Sequence, residues 1–214
     1  MRGQAERLVP MCQAACDQAD ISFGDLDAVA VTIGPGTFTG VRIGLATAKG
    51  LALALGLPLV GVSTLTVVAQ SAAAAPLRNK SLRGGKSQGG RMAVALDARR
   101  SEVYFQLFDV SDGHVIPASE PAAVLTENIG KYLDSKVTIV VGSGANLFAP
   151  YLAPEIMAGL DFPDFSNQPH ASTLAYIGAK MLKAGDVPDK VMPLYLRAPD
   201  AVPAKAISYA FQNQ

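Results

Sequence analysis

Residues 34–50 read Gly34-Pro35-Gly36-Thr37-Phe38-Thr39-Gly40-Val41-Arg42-Ile43-Gly44-Leu45-Ala46-Thr47-Ala48-Lys49-Gly50, and no other run restricts the fold as much. An apolar stretch at residues 28–33 precedes it and reads as a short buried strand. Gly34 and Gly36 permit backbone angles that other residues avoid, and Pro35 stiffens the turn between them. Thr37 or Thr39 then caps a helix through its hydroxyl. Gly40, Gly44, Ala48 and Ala52 follow at four-residue spacing, which predicts small side chains along one helical face. A bulkier stripe of Val41, Leu45, Ala48, Ala52 and Leu55 runs beside them. Such a flat face lets another helix approach closely, because interaxial distance depends on the side chains at the contact.

The chain has 214 residues, half of them hydrophobic and 17% charged, so it can build one large domain or two small ones. Its 18 basic residues balance 18 acidic ones, which gives no sign of the basic surface that nucleic-acid binding normally needs. Cys12 and Cys16, four apart, read as small hydrophobes in a reducing compartment. A metal pair there would need further ligands, and His114 and His170 lie in unrelated contexts. No run of 18 apolar residues is free of breakers, so no membrane span is expected. The start lacks the order of a signal peptide, and the expected location is the cytoplasm.

Strands and helices alternate along the chain, which predicts the α/β class. A first helix occupies residues 4–19, with Leu8, Cys12, Ala15 and Ala19 on one face and Met11 beside them; Pro10 either opens or kinks it. Gly56 and Pro58 end the second helix. Residues 59–62 form a strand, and Ser63 or Thr64 caps a third helix to about residue 75. Residues 76–91 form a polar loop with Arg78, Lys80, Arg83, Lys86 and Arg91, a linker that could also touch RNA or an acidic partner. Strands at 92–96 and 102–110 flank a turn at 97–101, and Asp112-Gly113 marks another turn. Thr126 caps a short helix, residues 137–141 form a buried strand, and Ser172 caps a helix ended by Gly185. A segment at 193–197 and a polar tail close the chain. The expected division is a first lobe at 1–76, a basic loop at 77–91, a second lobe at 92–190 and a segment at 191–214 that can return to the first lobe.

The glycine loop from Gly34 to Gly40 can be a tight strand-to-helix turn or an anion cradle at a helix start. It is not a Walker A loop, since no lysine follows at the required place. Gly85-Lys86-Ser87 fails the same test, because Lys80 stands where the first glycine belongs. Gly142-Ser143-Gly144 follows a strand and could approach a nucleotide, or be an ordinary turn. Asp97 could bind a metal or act as a base; the alternative is that it fixes the turn with Arg99 or Arg100. No Ser or Cys nucleophile with a matching His and acid emerges, and nothing places Glu102 and Asp97 across a pocket.

The run from Gly34 to Leu65 closely resembles the bacterial TsaB (YeaZ) family, as do residues 5–11, 95–104 and 193–199. The resemblance covers nearly the whole chain. It implies an actin-like ATPase fold of two RNase-H-like lobes, and a part in forming N6-threonylcarbamoyladenosine in tRNAs that read A-starting codons. It also implies a non-catalytic subunit that pairs with a TsaD-like catalytic partner, with a TsaE-like ATPase joining the complex. A homodimer is implied in isolation, with tRNA met only indirectly and no membrane. ATP and metal are implied on the partner subunits, with no cofactor held by this chain alone. The first two helices are implied as the interface, through Leu8, Met11, Cys12, Ala15, Val41, Arg42, Gly44, Leu45, Ala48, Lys49 and Ala52. In TsaD-like relatives two histidines four apart bind iron after the strand that follows this helix; residues 61–68 hold no histidine, so that metal site is not expected. The alternative is an enzyme in its own right, a nucleotide-dependent transferase or a glycoprotease-like metallopeptidase, although nothing in the residues supports the peptidase chemistry of that older family label. TsaB proteins also open with a strand hairpin carrying a phosphate loop ahead of the first helix. This sequence begins almost at that helix, and the expectation is either lower stability than a full-length relative, since orphaned strands expose apolar surface, or a misassigned start.

Overall fold

The computed structural model describes residues 4–75, 90–163 and 168–197. Helix α1 (Gln4–Gln18) leads through a 3-10 turn (Phe23–Asp25) into β1 (Val29–Thr32), followed by α2 (Phe38–Leu55), β2 (Leu59–Val62) and α3 (Thr64–Ala74). β1 and β2 pair in parallel, from Val29 opposite Leu59 to Thr32 opposite Val62. Parallel neighbours need a crossover, and α2 supplies it. Of the two candidate caps, Thr37 is the one used: its hydroxyl accepts the Gly40 N–H at 3.2 Å. Gly56, left-handed at φ 65°, closes the helix by donating its N–H to the Ala52 and Leu53 carbonyls. Ser63 stands at the α3 N-cap without a side-chain cap bond.

The second part contains β3 (Gly90–Arg99), β4 (Glu102–Ser111), β5 (His114–Pro117), β6 (Ala122–Leu125) and a 3-10 turn (Thr126–Lys131). β7 (Val137–Val141), α4 (Ala145–Phe148), a 3-10 turn (Ala149–Tyr151), α5 (Pro154–Ala158) and α6 (Ala171–Ala184) complete it. The sheet order is β5-β4-β3-β7, with β6 also on β4. β3 and β4 form an antiparallel hairpin, while β7 lies parallel to β3. The hairpin turns through three residues of positive φ, Arg99, Arg100 and Ser101. Asp97 holds that turn, its Oδ1 accepting the Arg99 N–H at 2.7 Å.

Both faces of this larger sheet are covered, so β3 reads as a continuous apolar run rather than an alternating one. Ala93 and Ala95 pack with Phe105, Ile129 and Phe148 on one face. Met92 and Val94 pack with Phe108, Ile139 and the α3 residues Leu65, Val68 and Ala69 on the other. The smaller sheet is also covered twice. Val31 meets Leu45 and Ala48 of α2, and Val60 and Val62 meet Leu174, Ile177 and Met181 of α6.

This packing revises the expected lobe boundaries. α6 was expected within the 92–190 lobe, yet its apolar stripe at i, i+3 and i+7 covers β2 of the first sheet. α3 serves both cores, with Val67 on the first sheet and Leu65 and Val68 on the second. The Ser71 hydroxyl bonds the Thr173 hydroxyl at 2.9 Å, fastening α3 to α6. Within the basic segment, residues 76–89 lie outside the described residues, so Arg78, Lys80, Arg83 and Lys86 do too. Arg91 does not belong to a loop. It sits in β3, and its guanidinium pairs with Asp109 at 2.7 Å and Asp134 at 2.5 Å, which leaves it neutralised rather than offered to RNA.

Candidate functional site

The four-spaced row on α2 divides between core and surface. Each step of four residues advances about 40° around a helix, so three steps rotate the row by roughly 120°. Gly40 and Gly44, at the start, are half-buried, and a side chain at Gly44 would meet nothing within 4 Å. Ala48 and Ala52, at the end, are buried at 7% and 6% exposure. Leu45, Ala48 and Ala52 are therefore removed from the expected interface: Leu45 and Ala48 pack with Val31 of β1, and Ala52 is buried within the chain itself. Val41 is half-buried. Arg42, Ala46, Lys49 and Gly50 face outward, and Leu53 is 85% exposed. The spacing of Leu53 from Arg42 and Lys49 signals its place, but a search for small residues passes over it.

α1 packs against α2 yet leaves most of itself uncovered. Cys16 is its buried side chain among the described residues and Leu8 is half-buried; Met11, Cys12 and Ala15 are exposed. Pro10 lies inside the helix rather than opening it. Although Cys12 is exposed at the surface, local desolvation, and then the nearby Cys16, push its thiol above the ordinary range. Against the sequence expectation, α2 is long and apolar enough by length and composition to cross a membrane. In the fold its inner side is packed on β1 and its outer side carries Arg42 and Lys49.

The glycine loop is engaged by the closing segment of the chain. Gly34 has φ +109°, and an added Cβ would sit 2.9 Å from the Leu194 carbonyl oxygen, so only glycine fits there. Its own carbonyl accepts the Thr64 N–H at 2.8 Å. Pro35 is buried, whereas Gly36, Thr37, Phe38 and Thr39 are exposed. The first helical donors of Gly40 and Val41 are taken by the Thr37 hydroxyl and carbonyl, the arrangement of a tight capped turn. Residues 191–197 pass across this loop. Val191 enters the first core, and the Leu194 N–H donates to the Ile33 carbonyl at 2.8 Å. The Tyr195 ring stacks on Phe38 at 5.7 Å, and its hydroxyl accepts Arg42 Nε–H at 2.9 Å. The Arg42 guanidinium lies 3.6 Å above the Phe38 ring centre. Leu196 then joins the second core, and Arg197 pairs with Glu102 and donates to the Arg99 carbonyl. Nothing in the sequence pairs Tyr195 with Arg42, 153 residues away.

The remaining candidates are packing features. An added Cβ at Gly142 would lie 2.2 Å from the Ala95 carbonyl oxygen, and one at Gly144 would lie 2.7 Å from Val103 Cγ1. Those glycines let two strands approach. The Ser143 hydroxyl accepts the Asp97 N–H at 3.1 Å. Among the described residues no three His, Cys, Asp or Glu side chains gather as a metal site would require.

Residues 1–201 match the family model for TsaD, tRNA N6-adenosine threonylcarbamoyltransferase. The Escherichia coli (strain K12) tRNA threonylcarbamoyladenosine biosynthesis protein TsaB is 34% identical over 128 residues, 60% of this chain. The Erythrobacter litoralis tRNA N6-adenosine threonylcarbamoyltransferase is 45% identical over 138 residues, 64% of this chain. The chain spans 51% of the first protein's length and 32% of the second's. Among solved structures, YeaZ from Pseudomonas aeruginosa superposes with a TM-score of 0.72 and 29% identity, over 91% of this chain and 85% of that one. The architecture is thus the two-lobed actin-like α/β fold that the sequence motifs imply.

Proposed function

The chain belongs to the tRNA N6-adenosine threonylcarbamoyltransferase (TsaD) family, and from that premise we propose that it is the non-catalytic docking subunit for tRNA threonylcarbamoyladenosine formation. Its likeness to TsaB and YeaZ proteins supports this reading over the transferase or metallopeptidase alternative. The observation that carries it is the surface of α1 and the outer flank of α2, where Met11, Cys12, Ala15 and Leu53 are exposed on helices that α1–α2 packing leaves open. Apolar helix surface of this kind is characteristic of protein contacts. In this reading Leu8, Met11, Cys12, Ala15, Val41, Arg42, Gly44 and Lys49, joined by Leu53, receive a TsaD-like catalytic subunit in the cytoplasm. That partner holds the ATP and metal, a TsaE-like ATPase joins the assembly, and tRNA is met through the complex.

The test is co-expression with the TsaD relative of the same organism, purification through a tag on one subunit and mass measurement of the assembly. A stoichiometric complex that Gly44→Leu disrupts is expected, since bulk enters at a position that is open in the free chain. No complex, or one indifferent to Gly44→Leu, overturns the proposal. Calorimetry of the isolated chain with ATP or a divalent metal discriminates the enzyme alternative, which requires binding.

A further inference from the structure

Two buried polar side chains, neighbours on α3, fix a cluster of nitrogens at the seam between the lobes. Gln70, 7% exposed, donates its Nε2–H to the Gly113 carbonyl at 2.7 Å and holds the β4–β5 turn. Ser71, 6% exposed, bonds the Thr173 hydroxyl and holds α6. That turn carries His114 and that helix carries Lys180, and the Lys180 Nζ lies 3.4 Å from His114 Nδ1. An ammonium has donors only, so Nδ1 is the acceptor and the ring is neutral, with its proton on Nε2. The Lys180 Nζ also lies 5.1 Å from the centre of the Tyr176 ring, which is 46% exposed. Among the described residues neither His114 nor Lys180 has a carboxylate within 4 Å. Lys183 stands one turn beyond Lys180, α6 carries no acid, and α3 carries no charge. The turn's own acid, Asp112, accepts the Ser111 hydroxyl at 3.3 Å. The helix dipole accounts for a lysine in the last turn of α6, but not for a histidine brought there by the other lobe.

We propose that His114, Lys180 and Lys183, beside the open ring of Tyr176, form a contact site for the phosphate backbone of RNA. The inference rests on the docking role proposed above, which brings the chain to tRNA, and adds a surface on this chain that touches it. With the site empty, a second cation beside Lys180 would be repelled, and His114 serves as a neutral acceptor. A phosphate supplies the missing negative charge. Its oxygens accept from the ammonium and the imidazole, and the ring takes a proton from solvent as the anion arrives. The zero net charge of the chain conceals this local excess, because the balancing acids lie on other elements. RNA fits better than a protein partner. Apart from Tyr176, the exposed positions of α6 hold only alanine, serine and lysine, so no large aliphatic side chain offers burial. An exposed aromatic ring next to cations suits a base or sugar. The site also stays open in an assembly. Val29 and Val31 of β1 face α2, whereas Ala28 and Ala30 face α6, so the two helices cover opposite faces of the sheet. A protein seated on α1 and α2 leaves α6 uncovered.

The test uses the assembled complex with the TsaD relative of the same organism and an unmodified transcript of a tRNA that reads A-starting codons. Affinity is measured over a salt series, and from about pH 8 to about pH 6, for the parent, Lys180→Gln, His114→Gln and Lys131→Gln, a distant control. Thermal melts check folding; His114 and Lys180 are exposed, and their variants are expected to melt within about 2 °C of the parent. Lys180→Gln is expected to weaken tRNA binding about fivefold and to reduce the salt slope by about one unit. The parent is expected to bind more tightly at the acid end, and His114→Gln to lose that gain, while Lys131→Gln behaves as the parent and affinity between the subunits is unchanged. Lys180→Gln and His114→Gln that both bind tRNA within about twofold of the parent, with the same slope, overturn the proposal. Weaker binding between the subunits at unchanged tRNA affinity also overturns it and assigns the cluster to a protein. Inorganic phosphate that displaces the tRNA at constant ionic strength, and equally from parent and Lys180→Gln, places the RNA elsewhere and overturns it too. If no complex forms, the docking role fails, and the same series on the isolated chain decides the site.

Discussion

Leu45 and Leu53 lie eight residues apart on one helix, and truncating each to alanine should move different observables. Leu53 is 85% exposed, so folding of the chain gains almost nothing from it. Leu→Ala removes three carbon groups at about 0.8 kcal/mol each, and the exposed share of that is about 2 kcal/mol available only to a partner. Leu53→Ala should therefore weaken binding to the TsaD relative by about thirtyfold and leave the melting temperature within about 1 °C of the parent. Leu45 is 6% exposed and packs against Val31, Ala48 and Val191. Leu45→Ala should cost roughly 2–5 kcal/mol of stability, since a cavity is added to the lost transfer energy. Any effect of Leu45→Ala on affinity should disappear once the unfolded fraction is subtracted. Calorimetric titration alongside thermal melts separates the two. The reasoning fails if Leu53→Ala binds within about threefold of the parent, or if it destabilises the chain as much as Leu45→Ala does.

Four further outcomes are expected. Ala48 is only 7% exposed, so Ala48→Glu should unfold the first lobe rather than block a partner on an intact one, visible as loss of cooperative melting before any binding assay. Gly142→Ala should lower stability by about 3 kcal/mol or more, because its Cβ would lie 2.2 Å from the Ala95 carbonyl oxygen. Gly113→Ala, also at positive φ but with open space around it, should cost only about 1 kcal/mol in the same denaturant titration. Hydrogen bonding from Arg91 holds the Asp109 carboxyl below the usual carboxylate range. That contribution is fully present above the unfolded value of about 3.9 and fades as pH falls through the lower folded value. Asp109→Asn should therefore flatten the acid limb of a stability-versus-pH curve, by no more than about 1 kcal/mol because the side chain is 54% exposed.

The local chemistry of the elements was legible because it is written in neighbouring residues. Thr37 caps α2, Gly56 and Gly185 end their helices in the left-handed region, and the apolar run 137–141 is a buried strand. Which side of α2 faces inward was not. Counting in fours treats a spiral as a stripe, and the drift of about 40° per step carries Ala48 and Ala52 into the core while Gly44 stays outside. The covering surface also decided it: β1 and Val191 select one arc of the helix, and Val191 comes from 143 residues beyond Ala48 in the sequence. α6 was assigned to the wrong core for the same reason. Its stripe of Leu174, Ile177 and Met181 is plain in the sequence, but a helix does not state which sheet it will cover.

The closing segment ties the proposed docking face to the rest of the molecule. Within seven residues it enters the first core at Val191, bonds the end of β1 through Leu194, holds Arg42 through Tyr195, enters the second core at Leu196 and reaches the β3–β4 turn at Arg197. An exposed guanidinium on a free surface samples many rotamers, and fixing one costs entropy when a partner arrives. Here Phe38 and Tyr195 restrict Arg42 beforehand, and Tyr195 is itself placed by a backbone anchored on both sides. Preorganisation at one helix start is thus maintained by contacts spread over both lobes. That is the physical reason a motif in the last part of the chain accompanies a glycine loop in the first: neither the loop's left-handed glycine nor the poise of Arg42 is explained without Leu194 and Tyr195 lying across them.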